Sequence, residues 1–117
     1  MFPSKAEMDA ARAAAEAEQF ATRARDLGDL KELMRLPSGR RTFWRLLGAS
    51  GVFVSSFTGE QPLTMAFAEG RRNEGLRLFL DLQEADGELY LLMAQEAAAA
   101  EKRAPEAPPA PTDAPQA

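Results

Sequence analysis

The sequence predicts a small all-α domain of about four helices, with a long Ala-rich helix at its start and a disordered Pro/Ala tail at its end. Three observations lead there. Apolar residues recur at three-and-four spacing in four separate segments. Only one short stretch, Gly51 to Gly59, reads as β-like, and it is too apolar for a solvated linker and too rich in turn residues to continue a helix, so it is expected as a buried bend between two helices. The last fourteen residues, 104–117, are dominated by proline and alanine, a composition that cannot bury enough apolar surface to order itself. The expected division is an Ala-rich helical arm over 1–26, a compact helical domain over 27–103 and the tail over 104–117.

The first helix is expected from Ser4 to Arg25, a run of alanine, glutamate and arginine with no internal glycine or proline. Ala6, Ala10, Ala13, Ala17, Phe20, Ala24 and Leu27 form a heptad-like seam that is mostly alanine. Such a seam buries little area but permits close approach, so it is either a solvated arm or a surface for another Ala-rich helix in this chain or a neighbouring subunit. Leu27, Leu30, Leu33, Met34 and Leu36 then supply a dense apolar stripe, with Gly28-Asp29 as a possible break before it and Pro37-Ser38-Gly39 as its stop.

A second main helix opens near Ser38 and carries Phe43, Trp44, Leu46 and Leu47, with Arg40, Arg41 and Arg45 in its first turns. Arginines there oppose the helix macrodipole, so helix stability does not explain them. They reach either acidic residues elsewhere in the fold or a partner. After Gly48 the chain bends through Val52, Phe53, Val54 and Phe57, as core or as an apolar plug for a partner. Thr58 and Gln61 suggest a capping box, and Pro62 sits in the first turn of the next helix.

That helix places Leu63, Ala66 or Phe67, Gly70, Asn73, Leu76 and Leu80 on one face. Gly70 and Gly75 in a helix interior each cost roughly 1 kcal/mol relative to alanine, which points to close helix packing at both. Asn73 on the apolar face is expected to be buried and hydrogen-bonded, pinning the bend or the Trp44 region. Trp44, Phe67, Gly70, Asn73 and Gly75 are therefore the expected structural residues. Arg71 and Arg72 point away from that line, within reach of Glu69 and Glu74 or of Asp81 and Glu84. Ala85-Asp86-Gly87 breaks the helix, and Glu88 begins a last one with Leu89, Tyr90, Leu92, Met93 and an alanine face.

The chemistry is bounded by absences. With no cysteine and no histidine there is no thiolate, imidazole or usual zinc site, and no serine or threonine has a credible activating neighbour. The paired carboxylates lie beside arginines, and the glycines lack a Walker lysine. The reading is a non-enzyme with no cofactor and no metal site. No secretory signal is expected, and the dense apolar run at 89–94 is far short of the ~20 residues needed to span a bilayer.

The concentrated polar feature is basic. From Arg35 to Arg77 seven arginines face three glutamates, within a chain of net charge −4. Arg40, Arg41, Arg45, Arg71 and Arg72 are the candidate partner-binding residues, for an acidic protein surface or, less favoured by the acidic total, for nucleic-acid phosphates.

Gly39-Arg40-Arg41, Leu46-Leu47, Gly51-Val52-Phe53, Phe57-x-Gly59, Ala66-Phe67-x-x-Gly70-Arg71-Arg72-Asn73-x-Gly75-Leu76-x-Leu78 and Tyr90 carry a resemblance. From about Asp29 to Glu96 the chain resembles a family of small proteins encoded among the head and tail structural genes of tailed bacteriophages, notably short-tailed ones. The resemblance implies a virion structural or assembly protein that binds other virion proteins, with room for a homo-oligomer. It places the protein in the virion, or in the host cytoplasm during assembly. The rival expectation is a small DNA-binding or regulatory phage protein using the same arginines.

Overall fold

A computed structural model describes residues 1–54 and 61–103. It shows four helices, α1 (Lys5–Met34), α2 (Pro37–Ser50), α3 (Pro62–Ala85) and α4 (Gly87–Arg103), and no strand among the described residues. The all-α class is as the periodicity predicts. The Pro/Ala segment from 104 and the Thr58 cap lie outside the described residues.

α1 is one uninterrupted helix of 30 residues. Gly28-Asp29 does not divide it, because a single glycine costs only about 1 kcal/mol in a helix whose neighbouring turns are good formers. Its start is fixed by a reciprocal cap absent from the sequence reading: Ser4 Oγ accepts from the Glu7 amide at 3.1 Å, and Glu7 Oε2 accepts from the Ser4 amide at 3.2 Å. α2 begins with Pro37 in its first turn and ends on Gly51, whose φ of 77° favours glycine. α3 also begins on a proline, Pro62, with Gln61 as an N-cap residue that makes no side-chain bond. One residue, Asp86, separates α3 from α4. Its extended backbone stops one helix, and its Oδ1 accepts from the Leu89 amide at 2.9 Å to cap the next.

The core is Met34, Phe43, Leu47, Val52, Leu82 and Met93, drawn from all four helices and the turn after α2. Beside it four aromatic rings close a cycle: Trp44 with Phe53 (5.4 Å), Phe53 with Phe79 (6.3 Å, edge-on), Phe79 with Tyr90 (5.3 Å, edge-on) and Tyr90 with Trp44 (6.5 Å). Phe53 sits between the two roles expected of it, since it packs on two rings of this cluster while its outer half stays exposed. Salt bridges then tie α1 to the α3–α4 end: Arg23 to Asp81 at 2.8 Å and to Glu84 at 2.6 Å, and Lys31 to Asp86 at 3.6 Å. Asp81 and Glu84 thus serve Arg23, not Arg71 and Arg72.

Two of the expected structural glycine and asparagine roles are corrected. A Cβ at Gly75 would fall on the Ser50 side chain, so α3 does need glycine there to pass close to α2. Around Gly70 nothing lies within 4 Å of such a Cβ, and Gly70, Asn73 and Phe67 are all exposed. The first half of α3 is largely exposed, Asn73 included, and Asn73 makes no side-chain hydrogen bond among the described residues. Trp44, by contrast, is half-buried against the core.

Candidate functional site

The site grows from the elbow between α1 and α2. A Cβ at Gly39 would fall on the Leu33 carbonyl, so glycine is what allows the first turn of α2 to lie against the end of α1. The next residue, Arg40, is thereby carried under the last carbonyls of α1. Its Nη1 donates to the Met34 carbonyl at 2.8 Å and to the Arg35 carbonyl at 3.1 Å. Its Nε donates to Glu96 Oε1 and its Nη2 to Glu96 Oε2 at 3.3 Å, a two-pronged pair reaching α4. A guanidinium that is unfavourable at the start of α2 is therefore well placed at the negative end of α1. Arg40 is buried and each of its three guanidinium nitrogens donates inside the fold, which corrects the expectation that it belongs to a partner-binding surface. The Arg40 hydrogen bonds, with further help from the Arg40 and Arg41 charges, hold the Glu96 carboxyl below the usual carboxylate range.

Above this pair lies a groove of about 470 Å³ between α2 and α4. Its floor is the Trp44 indole, Met93, Ala97 and Ala100, and its rims carry Arg41 and Arg45 on α2 and Arg103 with Glu101 on α4. Three-residue and four-residue steps bring Arg41, Trp44 and Arg45 to one side of α2 and Met93, Ala97 and Ala100 to one side of α4. Arg41 and Arg45 are exposed and make no ion pair within 4 Å among the described residues. With Arg40 and Glu96 neutralising each other beneath, the rim keeps a positive surplus of three arginines over one glutamate.

The other two predicted arginines do not join this site. Arg71 is exposed on α3, and Arg72 donates to the Val54 carbonyl at 3.3 Å with Glu69 at 3.9 Å, holding the segment after α2 against α3. No group of three or more metal-ligating side chains occurs among the described residues, and no helix there is long and apolar enough to cross a membrane. Elsewhere, Asp86 is held below the usual carboxylate range first by the Leu89 amide and then by Lys31, while burial pushes the Tyr90 phenol up.

Four residues, Glu96, Gly39, Ser4 and Glu7, have roles that the apolar periodicity does not predict. Glu96 lies 56 positions from Arg40, so only the fold reveals the cation it pairs with. Gly39 was read as a helix stop, when it is a contact glycine inside the first turn of α2. Ser4 and Glu7 did carry a legible signal, the S-x-x-E spacing just ahead of a helical run.

Fold and site together define a small helical protein whose concentrated cationic feature is an arginine-rimmed groove between two helices. A family model described as Bbp19-like phage protein matches residues 30–95, more than half of the chain, and the chain belongs to that family. No curated protein and no solved structure matches it. The matched span contains the elbow and the α2 wall of the groove. It ends just before Glu96 and leaves out the whole α1 arm over 1–26.

Proposed function

We propose that this phage protein is a non-enzymatic virion structural or assembly protein that docks other virion proteins on the α2–α4 face. The observation that carries the reading is the groove itself: exposed Arg41 and Arg45, which make no ion pair within 4 Å among the described residues, flank an indole and a line of alanines. Exposed rim arginines around an apolar floor suit an acidic protein surface, since the floor supplies buried area and the rim supplies orientation and partner choice. The five-arginine surface read from sequence narrows accordingly to Arg41 and Arg45, with Arg103 added and Arg71 as an outlying cation.

The test is mass spectrometry of purified particles from cells infected with the phage that encodes the chain. The protein should be retained in particles, or in an assembly intermediate, after host proteins are washed away. Absence from both, together with duplex DNA binding that persists at physiological salt, would replace this reading with a DNA-binding one.

A further inference from the structure

α1 continues far beyond the bundle it helps to build. Every residue from Met1 to Asp26 is exposed, including Phe20 at 77 %, although this stretch is helical from Lys5 onward. Isolated helices are marginal in water, and here only the Ser4–Glu7 cap and high alanine content support it locally. The arm's exposed apolar line, Ala6, Ala10, Ala13, Ala17 and Phe20, is flanked at helical spacing by Asp9 and Glu16 on one side and by Glu7 and Glu18 on the other. Over residues 4–20, four acids stand against Lys5 and Arg12.

The α2–α4 groove is the counterpart of that face. Its apolar floor contains Ala97 and Ala100, which let a second helix approach closely, and its rims are the arginines of both walls. The arm cannot fill the groove of its own molecule. α1 is one continuous helix anchored at its far end through Arg23, Lys31 and the Arg40 contact with Met34, and it rises about 1.5 Å per residue away from that anchor.

We infer that the acidic alanine arm of one copy docks in the arginine-rimmed groove of a second copy. The inference rests on the reading of the α2–α4 face as a docking surface and specifies its occupant. Each molecule carries one arm and one groove, so the contact forms a reciprocal pair, a ring or an open chain, according to the rotation between copies.

The test is sedimentation of the purified full chain over a range of concentrations and salt. The wild-type protein should self-associate, more weakly as salt rises. Arg41→Glu with Arg45→Glu should weaken association about tenfold or more, and so should Asp9→Lys with Glu16→Lys. The four changes in one chain should restore it, because the charges again oppose one another. If the glutamate variant of the groove loses helicity, Arg41→Gln with Arg45→Gln should still weaken association while folding normally. A wild-type chain that stays monomeric up to its solubility limit overturns the inference. So does association that responds to the arm changes and not to the groove changes, which would mean that arms pair with arms. The two readings separate cleanly: a monomer found in particles refutes self-docking alone, and a self-associating chain missing from particles and assembly intermediates refutes the virion role alone.

Discussion

The tripeptide Gly-Arg-Arg occurs twice, at 39–41 in the first turn of α2 and at 70–72 in the middle of α3, and the two copies do different work. At the elbow, glycine is required by the Leu33 carbonyl, the first arginine is buried on Glu96 and the end of α1, and the second faces the groove. On α3 the glycine is in open space, the first arginine is in solvent, and the second latches the Val54 carbonyl. The same three residues on the same kind of helix therefore have their roles assigned by what packs opposite them. Local composition does not settle it.

The sharpest way to break this comparison is to exchange the glycines. Gly39→Ala should destabilise the fold by about 2–3 kcal/mol, near the top of the overpacking range, because the obstructing atom is backbone and cannot rotate aside. Gly70→Ala should do the opposite and stabilise by about 0.5–1 kcal/mol, as expected for an exposed helix interior. Urea unfolding followed by circular dichroism reads both. Equal effects of the same sign would mean that the two sites are equivalent after all.

The arginines give the next largest contrast. Arg40→Met should cost about 1–3 kcal/mol, since it leaves the last α1 carbonyls and Glu96 without their donor. The lower part of that range is favoured because the Glu96 side chain is 44 % exposed and can recover water. Arg71→Ala should fall within about 0.5 kcal/mol of wild type. Thermal melts of the pair sharpen the comparison, and a large loss for Arg71→Ala would mean that Arg71 is a structural residue of α3 rather than a solvent-facing cation.

A smaller effect distinguishes the elbow by pH. Glu96 and Asp86 both have folded-state pKa values below the unfolded carboxylate range of about 4. Each group therefore adds stability that is fully present above that range and is lost as pH falls through the lowered values. The melting temperature should decline on acidification below about pH 5, and Glu96→Gln with Asp86→Asn should flatten the decline. An unchanged profile in the double variant would place the acid sensitivity elsewhere.

Much of the architecture could be read from spacing alone. Four apolar periodicities, Pro37 after the end of α1, Pro62 at the start of α3, and Asp86-Gly87 at a helix junction describe elements whose determinants lie within a few residues of one another. Gly75 was legible too, as an interior glycine on a packed face. Asn73 and Gly70 misled because three-and-four spacing says which residues share a face, and nothing in it says how far along a helix that face stays covered. Arg40 misled for a different reason. Its partners, the Met34 carbonyl and Glu96, come from two other helices, one of them 56 positions away, so its role exists only in the tertiary structure. Arg41 and Arg45 were visible as cations, but the groove that gives them a direction needed α4 beside α2.

The central claim is that Arg40 holds the fold while its neighbours Arg41 and Arg45 hold a partner. The most direct measurement compares particles produced with wild-type protein and with the Arg41→Glu, Arg45→Glu variant, quantifying the protein per particle by mass spectrometry alongside a thermal melt of each. The account predicts a variant that melts within about 2–4 °C of wild type, the shift expected for a surface change of about 0.5 kcal/mol, yet is depleted from particles. Normal incorporation of the variant, or depletion that merely follows a lowered melting temperature, would contradict it.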